Sequence, residues 1–287
     1  MERIQQQFLP LIELPQDANT LTLEQQQAIL HKHEPFLRLT VTSHPVGTKG
    51  RDWFETEFSD TLHAYAGSLE AKLPFSTPVW HKTFNAILFS SLVAIRVVFN
   101  RVPKLSLDNI YISVANDHRI DKVEILDSTP YFSLDDSGEN VASQEALDDK
   151  LVETILALST SLSDKFKKHK VNPRVFWGNI LYACNISFSK LANQPLDEKT
   201  HLIDETIVSQ WQQNLYSKVL PKGGELNEIK KVTFNGFQKI YTRRETCCLK
   251  YKLDGKDKCA TCNLHDEETQ QQLMLDKLKK AVEHTGN

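Results

Sequence analysis

The sequence predicts an α+β fold, helix-dominated, with a small antiparallel β element and a cysteine-bearing C-terminal segment next to a terminal helix. Three observations predict it. Leu147, Leu151, Ile155, Leu158, Leu162 and Phe166 recur at three- and four-residue steps, the stripe of a long amphipathic helix. NIYISV (109–114) and RIDKVEIL (119–126) flank a short polar turn and read as a hairpin. Asp266 to Glu283 is again amphipathic, with Leu273, Leu278 and Val282 on one side, and it follows four cysteines gathered between positions 247 and 262.

The remaining elements follow in order. Thr22 opens a helix, with Gln25 placed to complete a capping box, and that helix ends near Pro35. Leu37, Leu39 and Val41 alternate with Arg38, Thr40 and Thr42, a strand pattern. Asp52 to Glu70 reads as helical, and an apolar helix over 80–99 stops before Pro103. Ser143 begins the long helix, and Pro173 opens another that runs to Leu191. A further helix covers 204–219, ahead of Pro221 and the Gly223–Gly224 pair. VTFNGFQKIYT (232–242) reads as strand or loop. The chain divides into a scaffold, 1–240, and a C-terminal segment with its helix, 241–287, joined as one integrated domain.

Composition excludes several classes. The 287 residues are 40% hydrophobic and 25% charged, ordinary globular values. With 34 basic and 37 acidic residues the net charge is −3, without the basic excess of a nucleic-acid-binding domain. The start, MERIQQQFLPLIELPQ, lacks the basic front and continuous apolar run of a signal peptide. The most apolar stretch, Ala86 to Phe99, is shorter than the ~20 residues needed to span a bilayer and carries Ser90, Ser91 and Arg96. It reads as a buried helix, so no transmembrane segment is expected. A cytoplasmic location follows, with peripheral contact at the inner membrane as an option. In that reducing setting clustered thiols point to metal ligation rather than disulfides.

The thiols are Cys247, Cys248, Cys259 and Cys262, spaced Cys-Cys, ten residues, Cys, two residues, Cys. Four soft thiolates suit zinc or an iron–sulfur cluster. The C-x-x-C half serves either, since a tight turn aims both sulfurs at one centre. The adjacent pair suits a single ion poorly, because neighbouring side chains diverge. Asp254-Gly255 supplies a turn that lets the chain fold back. Spacing alone leaves zinc and cluster equally open.

This Cys-Cys-x10-Cys-x2-Cys pattern resembles the signature of the FhuF-like ferric-siderophore reductases. PRVFWGNIL (173–181) is similar to a Trp-Gly-Asn-type segment of that family. The resemblance implies that the four cysteines hold a 2Fe-2S cluster. It further implies one-electron reduction of Fe(III) in a siderophore, typically a hydroxamate, with release of Fe(II). The family is also similar to the C-terminal part of aerobactin-type siderophore synthetases, which implies a siderophore-holding scaffold. No G-x-G-x-x-G and no G-x-x-x-x-G-K-[ST] occurs, so the expected electron donor is a partner protein, a ferredoxin or a flavoprotein reductase.

Local charge fits such a centre. Between 239 and 258 seven cations (Lys239, Arg243, Arg244, Lys250, Lys252, Lys256, Lys258) face three acids (Glu245, Asp254, Asp257). The Arg243–Arg244 pair is therefore expected to tune the cluster, since nearby cations favour its reduced form. On the helix from Pro173, Arg174 and Trp177 share a face, and Arg174, Trp177 and Asn179 are candidates for contact with the chelate. Core packing is the competing reading for Trp177. Cys184, set among apolar residues, reads as a core thiol. Three rival functions stand beside the reductase: a zinc-stapled binding module, an iron–sulfur carrier or sensor without a siderophore substrate, and a siderophore synthetase, which the short chain and the missing nucleotide-type motifs disfavour.

Overall fold

The computed structural model describes residues 2–135, 137–192, 202–220 and 223–285. In chain order the elements are α1 (Glu2–Phe8), α2 (Leu23–His33), β1 (Thr40–Thr42), β2 (Thr48–Lys49), α3 (Gly50–Thr56), α4 (Phe58–Ser68) and α5 (Leu73–Phe99). Then come β3 (Arg101–Pro103), β4 (Ile110–Val114), β5 (Ile120–Leu126), β6 (Tyr131–Ser133), β7 (Glu139–Asn140), α6 (Gln144–Lys168), α7 (Pro173–Leu191), α8 (Glu205–Val219), β8 (Asn227–Phe234), β9 (Phe237–Arg244) and α9 (Glu267–Thr285). The helix-dominated α+β expectation holds.

The spine is α5, a 27-residue helix with Pro74 in its first turn and Pro78 inside it. It packs along α7, with α2, α4 and α6 around it. Its length corrects the expectation of a stretch too short for a bilayer. By length and composition α5 is the one helix among the described residues that could span. Its environment nevertheless matches the predicted core helix: 83% of its most apolar window is buried inside the fold. It also buries His81, Asn85 and Arg96, each with a protein partner.

The predicted hairpin forms as β4–β5, within a sheet of order β1-β5-β4-β2. The strand predicted over 37–42 is only Thr40–Thr42, and it pairs parallel with β5 rather than antiparallel. Asp52–Glu70 is two helices, because the chain breaks at Glu57 (φ −111°) to pack Trp53, Phe54 and Phe58 on one another. The capping box of α2 forms, with Thr22 accepting from the Gln25 amide at 3.3 Å and Gln25 returning an acceptor to the Thr22 amide at 2.9 Å. The α1 helix was not read from the sequence; it buries Ile4 and Phe8 against the main core.

The segment 232–242, which the sequence leaves open as strand or loop, spans the end of β8, the turn and most of β9 in a hairpin registered from Asn227↔Arg244 to Phe234↔Phe237. Its turn is Asn235-Gly236, both at positive φ (50° and 82°), the pairing that lets a two-residue turn follow strand twist. The hairpin lies between α7 and α9. Ile229 and Ile240 join the main core, whereas Val232 and Tyr241 join Met274 and Leu278 of α9 in a second, smaller one. Strand alternation accounts for this division. Position 240 falls inside β9.

Candidate metal centre

The hairpin carries the chain from the core to the thiols. β9 ends at Arg244, and the Glu245 amide still donates to the Leu226 carbonyl at 2.9 Å. Thr246 follows, pressed against Gly178 of α7. A Cβ built on Gly178 would lie 2.1 Å from Thr246 Oγ1, so only glycine admits this contact. Cys247 and Cys248 come next. Leu249 takes a left-handed conformation (φ 61°) and donates its amide to Cys247 Sγ at 3.3 Å.

The chain then makes a 3-10 turn over Lys250–Lys252 against α5 and bends back at Gly255. The Cys259–Cys262 turn is closed by the Cys262 amide donating to the Cys259 carbonyl at 2.9 Å. Gln270, buried in the first turns of α9, donates to the carbonyls of Cys262 (2.9 Å) and His265 (3.2 Å). The loop is thus anchored to α7 at one end and to α9 at the other.

All four thiols are free, with Cys248 and Cys262 buried and Cys247 and Cys259 half-buried. They interact as one linked group: Cys247 with Cys262 and Cys248, and Cys248 with Cys259. The Cys259 contact holds the Cys248 thiol well below its ordinary range, helped by Lys82, Arg244 and the Lys250 amide. The same contact, and burial, push Cys259 up. Burial pushes Cys247 up to about 11.

This donor set fits a two-iron cluster. Such a cluster takes two thiolates at each iron, whereas a structural zinc site takes three or four ligands around one point. Two buried donors next to the thiols, Arg244 Nε and Thr246 Oγ1, have no protein acceptor. Free donors of this kind suit an anionic, sulfur-rich group.

The structure separates the two arginines expected to act together. Consecutive strand residues face opposite ways. Arg244 faces α7: it is buried, its guanidinium lies 4.3 Å over the Tyr182 ring, and Nη2 donates to Asn179 Oδ1 at 2.7 Å. Arg243 faces α9, among Glu245 (3.3 Å), Glu228 (3.7 Å) and Glu267 (3.9 Å). Of the pair, Arg244 is the cation that acts on Cys248.

The three α7 candidates are likewise separated. Asn179 is fully buried, donating to the Pro78 carbonyl (3.1 Å) and His81 Nδ1 (3.3 Å) while accepting from Arg244. It holds Arg244 in place and does not face solvent. Trp177 is half-buried, edge-on to Phe176 at 5.5 Å. Arg174 is exposed in the first turn of the helix. Cys184 is buried, its thiol pushed up by burial. Lys82 was missed: it sits on α5, and nothing in its local sequence marks it.

A loop between β9 and α9 that gathers four thiols has the donor set of an iron–sulfur segment. Residues 244–262 match the family model described as FhuF 2Fe-2S C-terminal domain, consistent with an FhuF-like family. No curated protein matches the chain.

Proposed function

We propose that the protein is a ferric-siderophore reductase acting in the cytoplasm on Fe(III) held by a hydroxamate-type chelate. The supporting observation is the gathering of the four thiols within a segment that matches a 2Fe-2S domain. When bound, the cluster supplies one electron at a potential that such centres can set as low as about −400 mV. Hard oxygen ligands hold Fe(II) far less tightly than Fe(III), so one electron loosens the metal and no bond of the chelator is cut. The chain's own groups set the conditions. Cys247, Cys248, Cys259 and Cys262 are the ligands. Arg244, Lys82 and the Leu249 and Lys250 amides place positive charge and N–H donors at the sulfurs, which favours the reduced state. A ferredoxin- or flavoprotein-type partner returns one electron per turnover.

The test is anaerobic purification followed by iron, zinc and acid-labile sulfide analysis and a dithionite titration. The expected protein is red-brown, with two irons and two sulfides per chain, and it bleaches on reduction. Mixing the reduced protein with a ferric hydroxamate should reoxidise it and release Fe(II). A colourless protein with one zinc per chain overturns the reading in favour of a zinc staple. A bleachable cluster that no ferric chelate reoxidises favours a carrier or sensor.

A further inference from the structure

A cleft of about 180 Å³ opens beside the thiol segment, between α7, β9 and α9. Its wall includes Thr261, which lies within the Cys259–Cys262 turn, and Tyr182, whose ring carries the Arg244 guanidinium. Four consecutive β9 residues, Lys239 to Thr242, also line it. Alternating side chains can all meet one cleft only at the open edge of a strand. Among the described residues β9 pairs with β8 alone, so that edge is free.

The cleft is built for negative charge. Lys190 and Lys239 line it, and Lys277 lies close enough to Lys239 to repel its ammonium. The nearby carboxylate is Glu34, 3.5 Å from Lys190 Nζ, whose ammonium also lies over the Phe36 ring. Three ammonium groups gathered near one carboxylate, one of them half-buried, are costly until an anion arrives. A neutral donor is also waiting: Thr242 Oγ1 is buried in this wall and has no protein partner. The hydroxyl of Ser189 stands on the α7 side.

We propose that this cleft seats a carboxylate-bearing arm of the ferric chelate, making net anionic chelates the preferred substrates. The proposal rests on the reductase reading above and narrows its substrate class. The volume is below the roughly 300–1,000 Å³ of pockets that engulf a drug-sized ligand, so one arm enters and the Fe(III) centre stays outside. The position of Thr261 then holds that centre beside the Cys259–Cys262 turn. A hydroxamate chelate that also carries free carboxylates meets both the charge and the chemistry. The electron count is unchanged: Fe(III) gains one electron, the reduced cluster loses one, and the donor protein restores it.

The experiment uses the full chain with its cluster, reduced with dithionite, freed of excess reductant and mixed anaerobically with a ferric chelate. Reoxidation is followed against chelate concentration. The probes are ferric dicitrate, an anionic chelate, and ferrioxamine B, a cationic trihydroxamate. Half-saturation is expected at lower concentration with ferric dicitrate. Lys239→Gln should raise that concentration about tenfold with the limiting rate retained, and should leave ferrioxamine B unaffected. Ser189→Phe, which fills the mouth without changing charge, should do the same. Unchanged half-saturation for ferric dicitrate in both variants, with reoxidation intact, removes the cleft but leaves the reductase reading standing. No reoxidation by either chelate removes both.

Discussion

Arg244 and Asn179, sixty-five positions apart, are joined by a 2.7 Å hydrogen bond from Nη2 to Oδ1 inside the fold. Asn179 is in turn fixed by the Pro78 carbonyl and by His81 of α5, so a buried polar chain runs from the core helix to the arginine beside Cys248. Removing its middle leaves a buried cation without an acceptor. Asn179→Ala should destabilise the protein by roughly 2 kcal/mol, as expected for a hydrogen bond to a charged group, read by chemical denaturation.

The two arginines should differ electrochemically. Arg244→Gln removes a cation close to the thiolates and should lower the reduction potential. An interaction on the order of 1 kcal/mol corresponds to about 40 mV for one electron. Arg244→Lys should recover most of the shift. Arg243→Gln should move the potential much less, because Glu228, Glu245 and Glu267 already surround that charge. Redox titration followed by visible absorption reads all three. Equal shifts for the two glutamine variants would count against the assignment.

Gly178→Ala should disturb the centre from a distance. The added methyl meets Thr246 Oγ1 at 2.1 Å, Cγ2 at 2.8 Å and Cβ at 2.9 Å. An overpacking cost of about 1–3 kcal/mol is expected, with loss of cluster content on purification. Adding Thr246→Ala removes two of the three clashing atoms and should restore part of both stability and iron. Thermal melting and iron analysis decide it.

The five cysteines should separate cleanly. Serine at 247, 248, 259 or 262 should each lower iron and sulfide content and the visible absorption. Cys184→Ser should leave the iron content unchanged, because that thiol lies in the core, away from the other four sulfurs.

Acid should weaken the fold partly through His81. Burial among Phe166 (4.2 Å) and Phe176 (4.6 Å) lowers its pKa from 6.5 to about 3. Below the unfolded value the unfolded chain binds a proton that the folded chain refuses. Its contribution to stability is therefore complete above about pH 6.5 and is lost as pH falls toward 3, at up to about 1.4 kcal/mol per pH unit. Denaturation at pH 7 and pH 5 should show a steeper loss for the wild type than for His81→Gln. Parallel losses would exclude His81 as the group responsible.

Most helices were legible because their apolar stripes and caps are local. Thr22 with Gln25, Ser143, and Pro173 each announced a helix that forms where expected. The four thiols proposed as ligands were legible as a group because their spacing is carried by sixteen adjacent positions. What escaped was decided by side-chain packing and strand pairing rather than by local stripes and caps. The break at Glu57 serves an aromatic cluster, and β8 is mostly polar, recognisable only through its Asn235-Gly236 turn and its pairing with β9.

By itself, the sequence determined that four thiols lie close enough to share a centre and that a helix follows them. Only tertiary structure decided which thiol meets which, since sulfur contacts depend on how the loop folds over α5 and is held by Gln270. It also decided which arginine counts. Neighbours in sequence, Arg243 and Arg244 lie on opposite faces of one strand, one among carboxylates and the other bound to Asn179 beside Cys248. Lys82, on a helix more than 160 positions upstream of the thiols, joins them for the same reason: electrostatics acts through space, and the chain brings it there only by folding.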